Sequence, residues 1–129
     1  MKKRVTGIGG LFFKTHDPKK TKDWYKKHLG FNTDDYGCTF WWKEKSGKIA
    51  STQWSPFKED TPYFAPSEKD HMFNYRVHNL KELFAKLKTE GVEIVGEVEE
   101  YEYGKFGWIL DPEGNKIELW EPIDTTFLK

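Results

Sequence analysis

Glu118 is the residue of this sequence whose placement most needs a chemical explanation. It lies in an alternating run in which Ile117 and Leu119 face one side of a strand, while Glu118 and Trp120 face the other. An unpaired carboxylate is costly to bury, so Glu118 needs a polar partner, a ligand or water. The sequence therefore predicts a paired or functional carboxylate near its carboxyl end.

The element that positions Glu118 is a predicted β-hairpin over residues 106–120. Before the turn, Phe106, Trp108 and Leu110 share one face. The turn over residues 111–114 reads Asp-Pro-Glu-Gly, which suits type I geometry because proline presets φ and glycine accepts a left-handed exit. The hairpin thus places a Trp-rich strand beside the strand that carries Glu118.

Composition limits the classes of function. A chain of 129 residues with one cysteine, Cys38, favours a single domain without an internal disulfide. The formal net charge is zero, which predicts neither a nucleic-acid nor a membrane partner, and no apolar run is long enough to span a membrane. A cytoplasmic protein is expected. The 6 Trp, 6 Tyr and 10 Phe indicate an aromatic-lined cavity or a rigid aromatic core.

One plan of elements occurs twice in the chain. Strand-like runs at 8–15 and 72–77 are each followed by a helix pattern, capped by Asp17 or Asn79 and ending before Gly30 or Gly91. Further strand-like runs lie at 31–36, 38–43 and 49–54, and at 92–98, 103–110 and 115–120. We predict an α+β fold in which two βαβββ modules form a curved eight-stranded mixed sheet, with helices outside and a cavity inside.

The predicted domain covers residues 1–129. Its first module spans about 4–56, its linker 57–70 and its second module about 71–122. The linker contains prolines and charges with little periodicity, which is typical of a plain connection. The alternative is a flap over the cavity, with Tyr63 and Phe64 as its apolar contacts.

Three segments carry a resemblance to a known family. They are the run Gly107–Leu119, the helix region Asp17–Gly30, and the strand-to-helix junction Val77–Leu80. Together with the doubled plan they resemble the vicinal oxygen chelate superfamily, which contains glyoxalase I, bleomycin-resistance proteins and extradiol dioxygenases. The resemblance implies metal ligands on the first and last strand of each module. The matching positions are Gly10, Gln53, Met72 (preceded by His71) and Glu118.

The resemblance leaves the ligand set incomplete. Glycine offers no side chain, Gln53 is a weak oxygen ligand, and His71 faces away from the cavity if Met72 faces into it. Three protein ligands are usual in catalytic zinc sites, so we expect no cofactor, with a divalent metal as the alternative. In that alternative Glu118, Gln53 and His71 are the ligands of a metal-dependent glyoxalase- or dioxygenase-like enzyme.

The main prediction is a metal-free protein that resembles the bleomycin-resistance branch and binds a small, partly aromatic or anionic molecule in an aromatic-lined cavity. Met72, Asn74 and Arg76 share one face of a predicted strand, so Arg76 either pairs with Glu118 or holds an anionic group of the ligand. The tryptophans expected as cavity walls are Trp54, Trp108 and Trp120. No spacing singles out a catalytic residue. A homodimer is expected, and a scaffold whose interior is filled by its own side chains is a third alternative.

Overall fold

The chain forms one mixed β-sheet with two α-helices. The computed structural model describes residues 4–127, and the side chains of residues 4–125. The elements in chain order are β1 (Val5–Thr15), α1 (Pro18–Leu29), β2 (Cys38–Lys43), β3 (Ile49–Lys58), β4 (His71–Val77), α2 (Leu80–Thr89), β5 (Ile94–Tyr101), β6 (Gly104–Leu110) and β7 (Lys116–Pro122), followed by a short 3-10 helix, Asp124–Phe127. No helix in this part of the chain is long and apolar enough to cross a membrane.

The strands lie in the order β2-β3-β1-β4-β7-β6-β5. The pairs β1–β3 and β4–β7 are parallel, and the remaining neighbours are antiparallel. The predicted α+β class with a mixed sheet is therefore confirmed. The antiparallel pair β1–β4 joins the elements before the 59–70 segment to those after it.

The sheet has seven strands within residues 4–127 rather than the predicted eight. The run 31–36 forms only an isolated bridge between Thr33 and Cys38. The Asp34 carboxylate accepts hydrogen bonds from the backbone N–H groups of Tyr36, at 2.8 Å, and Gly37, at 3.0 Å. This local turn competes with strand pairing. The elements before the linker are therefore βαββ, and those after it are βαβββ.

The predicted helix caps and hairpin turn are confirmed. Asp17 accepts from Lys20 N at 3.1 Å, and Asn79 accepts from Glu82 N at 3.1 Å. In the hairpin, Gly114 N donates to the carbonyl of Asp111 at 3.0 Å, and Gly114 has a φ of 77°. Local polar groups thus set the ends of these elements.

Helix α2 covers one face of the sheet. Its apolar stripe packs with Val77 of β4 and Leu119 of β7, and consists of Leu80, Leu83, Phe84 and Leu87. A Cβ at Gly107 would lie 2.3 Å from the Phe84 ring, so the glycine allows the helix to approach β6 closely. The strand side chains of opposite parity, including Glu118, face away from α2.

The segment between β3 and β4 covers the opposite face. Strand β3 runs to Lys58, so only residues 59–70 form the connection. Phe64 is 0% exposed and packs with Met72 and Trp108. The carboxyl-terminal end of the segment is held by the sheet, since Lys14 N of β1 donates to the carbonyl of Asp70 at 2.7 Å. Residues 59–70 therefore form a cover over the face that carries Glu118.

Candidate functional site

Four residues lie opposite one another across the centre of the sheet. Gly10 of β1 pairs with Gln53 of β3 and with Asn74 of β4, and Asn74 pairs with Glu118 of β7. Three of these are the positions that the resemblance implied. On β4 the register selects Asn74, two residues from the expected Met72. Asn74 and Met72 lie on the same face of β4, because they are two residues apart. The exact register could not be predicted, because it depends on pairing between strands that are distant in the sequence.

Glu118 is 2% exposed, and both of its carboxylate oxygens have hydrogen-bond donors. Oε1 accepts from Asn74 Nδ2 at 2.6 Å, whereas Oε2 accepts from Trp108 Nε1 at 2.9 Å and from the hydroxyl of Tyr63. Burial raises the pKa of Glu118 above its ordinary value, although these three hydrogen bonds and the nearby ammonium of Lys116 oppose the shift. The site is a nearly dry carboxylate enclosed by aromatic rings.

Tyr63 is held at both its side chain and its main chain. Its hydroxyl donates to Glu118, and its carbonyl accepts from Lys116 Nζ at 2.7 Å. Burial and the Glu118 charge raise the pKa of the Tyr63 hydroxyl, which therefore remains a donor. The ring stacks on Phe57, with centroids 5.7 Å apart and an interplanar angle of 3°. Sequence reasoning assigned Tyr63 only an apolar contact and missed its bond to Glu118.

Asn74 is satisfied on only one side. It is 1% exposed, and its Oδ1 has no hydrogen-bond donor among the residues of the described chain. A Cβ at Gly9 would lie 2.1 Å from this oxygen, so only glycine lets β1 pass so close to Asn74. The carboxamide therefore offers one free acceptor beside the Glu118 carboxylate.

The residues that a family-type metal would need do not converge. The Gln53 amide is engaged, since Oε1 accepts from Thr39 at 2.8 Å and Nε2 donates to Ser51 at 3.2 Å. The His71 ring contacts Phe73, with centroids 4.9 Å apart, on the strand face opposite to the buried Met72. Residues 4–127 contain no group of three or more His, Cys, Asp or Glu that could hold a metal. With the Glu118 oxygens already accepting hydrogen bonds, this donor set does not fit a metal centre.

Arg76 lies on the same face of β4, but its partner is Asp124 rather than Glu118. The guanidinium makes two bonds of 2.7 Å to the carboxylate of Asp124, a third of 3.2 Å to Ser51 O, and lies 3.5 Å from Glu44. The predicted Arg76–Glu118 ion pair is therefore wrong, because Asp124 pairs with Arg76 instead. The expected role of Arg76 in ligand binding stays a prediction. Asp124 follows the last predicted strand, where no local pattern marked it.

The cluster around Arg76 is buried and aromatic. Arg76 is 1% exposed, and its guanidinium carbon lies 5.4 Å from the ring centroids of both Trp42 and Trp120. Burial alone would raise the pKa of Asp124, but hydrogen bonds from Arg76 and Ser51, together with the Arg76 charge, hold that pKa below its ordinary value. Asp124 is therefore ionised at neutral pH.

The predicted tryptophan walls are divided among three places. Trp108 donates to Glu118, and Trp120 flanks Arg76. Trp54 lies in ring contact with Tyr25 of α1, with centroids 4.6 Å apart, and also contacts Phe13 and Phe31. The structure thus brings Trp108, Asn74 and Glu118 together and places Trp54 in the packing beneath α1.

Comparison with known proteins gives a family and a fold. The family model described as Glyoxalase/Bleomycin resistance protein/Dioxygenase superfamily matches residues 7–119. The search of curated proteins gives no match.

Solved structures match over most of their length. A variant of methylmalonyl-CoA epimerase from Streptomyces coelicolor, in complex with 2-nitronate-propionyl-CoA, is 14% identical with a TM-score of 0.70, covering 92% of this chain and 99% of that one. Methylmalonyl-CoA epimerase from Mycobacterium tuberculosis is 22% identical with a TM-score of 0.59, covering 95% and 91%. A superfamily member from Vibrio splendidus 12B01 is 12% identical with a TM-score of 0.56, covering 88% and 97%. At these identities the likeness concerns the fold.

Proposed function

Because the chain belongs to the glyoxalase/bleomycin resistance protein/dioxygenase superfamily, we propose that it binds a small, partly aromatic molecule at Glu118 without a metal centre. One observation carries the proposal. A carboxylate that is 2% exposed lies among aromatic rings, in the row of strand positions that the family resemblance marks, with donors on both oxygens. Buried polar groups inside an apolar enclosure are typical of sites that orient a small ligand.

The partners of Glu118 indicate the chemistry of that ligand. The phenol of Tyr63 fills one acceptor position of the carboxylate, so a group that replaces it must donate a hydrogen bond. The free Oδ1 of Asn74 favours a second donor. A ligand anion would be repelled by Glu118, and Arg76 is already neutralised by Asp124. A neutral aromatic molecule with a hydroxyl or amine fits best, and the anionic alternative is not favoured at this site.

Access requires the Tyr63 side chain to move away from Glu118. Tyr63 is 37% exposed although its hydroxyl lies inside, so its ring is reached from solvent. Phe64, at 0% exposure, anchors the same segment and can stay in place while Tyr63 rotates away. The centroid of the Tyr63 ring lies 5.7 Å from that of Phe57 and 6.3 Å from that of Trp108. The ring of the ligand would take the place of the Tyr63 ring between these two residues.

The test uses 4-methylphenol, the side-chain analogue of tyrosine. In a Tyr63→Gly variant the phenol site is vacated, and we expect 4-methylphenol to raise the melting temperature and to bind in calorimetry. The control ligand 4-methylanisole has the same ring but cannot donate, and we expect it to bind more weakly. Weaker binding is also expected for the wild type, where Tyr63 competes. If neither protein binds 4-methylphenol, or if the two ligands bind equally, the proposal is wrong.

The alternative is a metal-dependent enzyme with Glu118, Gln53 and His71 as ligands. The engaged Gln53 amide and the position of His71 on the other face argue against it. Titration of the purified protein with Mn²⁺, Ni²⁺, Zn²⁺ and Fe²⁺ discriminates the two. Stoichiometric uptake that is lost in Glu118→Gln would favour the enzyme.

A homodimer and a cytoplasmic location also stay predictions. The dimer is supported by the edge strand β2, where the aromatic side chains of Phe40 and Trp41 are 43% and 42% exposed. Beside them, Trp41, Trp42, Lys43 and Ile49 line an open depression of about 400 Å³. Exposed apolar surface of this kind is common where copies of a chain associate, and sedimentation velocity measures it directly.

A further inference from the structure

We propose that Arg76, Trp42 and Trp120 form a second binding site, one for a small carboxylate, and that Asp124 occupies it as an internal ligand. This inference goes beyond the function proposed for Glu118, and it rests on different residues. The ligand class follows from the group that is bound there now. Displacement of the C-terminal 3-10 helix would expose the site to a carboxylate from solution.

The geometry is that of a complete carboxylate receptor. Two guanidinium nitrogens of Arg76 each lie 2.7 Å from a different oxygen of Asp124, which is the bidentate arrangement that Arg favours. Ser51 adds a hydroxyl that donates to Oδ1 at 2.7 Å. The indole rings of Trp42 and Trp120 flank the guanidinium at 5.4 Å and exclude water from it.

One donor of the receptor is unused. Arg76 Nε is buried and has no acceptor among the residues of the described part of the chain. Asp124 therefore does not exhaust the hydrogen-bonding capacity of a guanidinium that is 1% exposed. Only an acceptor separate from the bound carboxylate could use this donor, because Nε lies on the opposite side of the guanidinium from the two nitrogens that hold Asp124.

Arg76 lies in the middle of the sheet, whereas Asp124 lies in a short segment outside it. Arg76 lies in β4, which is paired on both sides by β1 and β7. Asp124 lies in a four-residue 3-10 helix after the last strand, between the exposed residues Ile123 and Thr125. The Asp124 side chain is thus a buried attachment of a segment that takes no part in the strand pairing of the sheet.

Charge selects a monoanion. Glu44 lies 3.5 Å from Arg76 and remains when Asp124 leaves, so the guanidinium keeps one acidic neighbour beside the vacated position. A small carboxylate restores the present balance, whereas the second charge of a phosphate dianion would be repelled by Glu44. The site therefore favours a carboxylate over phosphate.

The experiment uses the full chain with Asp124→Ala and compares sodium acetate, phosphate and chloride at equal ionic strength. We expect acetate to raise the melting temperature of the variant by about 5 °C when it exceeds its dissociation constant tenfold. Phosphate and chloride should give smaller shifts. The wild type, whose site is filled, should respond to acetate no more than to chloride.

A matched control removes a carboxylate elsewhere. Glu97 is exposed on the edge strand β5, and Glu97→Ala should respond equally to acetate and chloride. Equal shifts with acetate and chloride in Asp124→Ala would overturn the proposal. If that variant does not fold in chloride, refolding in acetate becomes the measurement: recovery only in acetate supports the site, and no recovery in either salt refutes it. Because Tyr63 and Glu118 are untouched, failure here is distinct from failure of the proposed function.

Discussion

Replacing Tyr63 by Phe removes one hydroxyl and tests how Glu118 is held. The ring, with its stacking on Phe57, is retained, so the change is confined to the hydrogen bond to the buried carboxylate. A hydrogen bond to a charged group contributes about 1.5–3 kcal/mol, whereas one between neutral groups contributes about 0.5–1.5 kcal/mol. We therefore expect Tyr63→Phe to lower the free energy of unfolding by about 1.5–3 kcal/mol while Glu118 is ionised.

The same cost should depend on pH. Burial raises the pKa of Glu118 above its ordinary value, so its protonated form is favoured in the folded state more than in the unfolded chain. Stability contributed by this group is present at low pH and falls as pH rises from about 4.3 through the raised value. Below that window Glu118 is neutral, and the cost of Tyr63→Phe should drop to about 0.5–1.5 kcal/mol.

Urea unfolding followed by circular dichroism measures both quantities. The matched control is Tyr101→Phe, because the Tyr101 hydroxyl also donates to a glutamate, Glu99, but at an exposed site. Exposed pairs contribute little, so its cost should be near zero at every pH. In a Glu118→Gln background the cost of Tyr63→Phe should match the low-pH value of the wild type. Equal costs for Tyr63→Phe and Tyr101→Phe, or a Tyr63→Phe cost that is independent of pH, would refute the reasoning.

Two further predictions concern packing. Phe64→Ala should lower the free energy of unfolding by about 3–5 kcal/mol and make residues 59–70 sensitive to limited proteolysis, because Phe64 is 0% exposed. The control Phe73→Ala should cost far less, because Phe73 is 41% exposed. Similar costs for the two variants in urea unfolding would contradict this prediction. Gly9→Ala should cost about 1–3 kcal/mol, because the new Cβ would lie 2.1 Å from Asn74 Oδ1 and 3.0 Å from Trp120. An unchanged unfolding midpoint for Gly9→Ala would show that β1 moves freely at that point.

Local signals in the sequence were enough for the helices and the final hairpin. The caps Asp17 and Asn79 hydrogen-bond within their own first turns, and the turn at 111–114 closes on itself. These contacts join residues three or four apart, so their spacing is readable from the sequence. The eighth strand was predicted wrongly because Asp34 forms a local turn that strand periodicity does not register.

The candidate site depended on contacts that no local pattern contains. Tyr63 reaches Glu118 from a segment without periodicity, and Asp124 reaches Arg76 from beyond the last strand. The position of Asn74 opposite Glu118 follows from parallel pairing of β4 with β7, which a sequence pattern does not specify to the residue. The type and face of Glu118, and its position beside the Trp108 strand, were therefore predictable, but its bonds to Tyr63 and Asn74 were not.

Asn74 and Arg76 are next-but-one neighbours on β4, and a Cβ at Gly9 would meet both side chains. One holds the carboxylate of Glu118 and the other that of Asp124, so a single strand forms the common wall of both clusters. Small displacements of β4 must then change the two sites together. Substitutions at one cluster are expected to combine non-additively with those at the other.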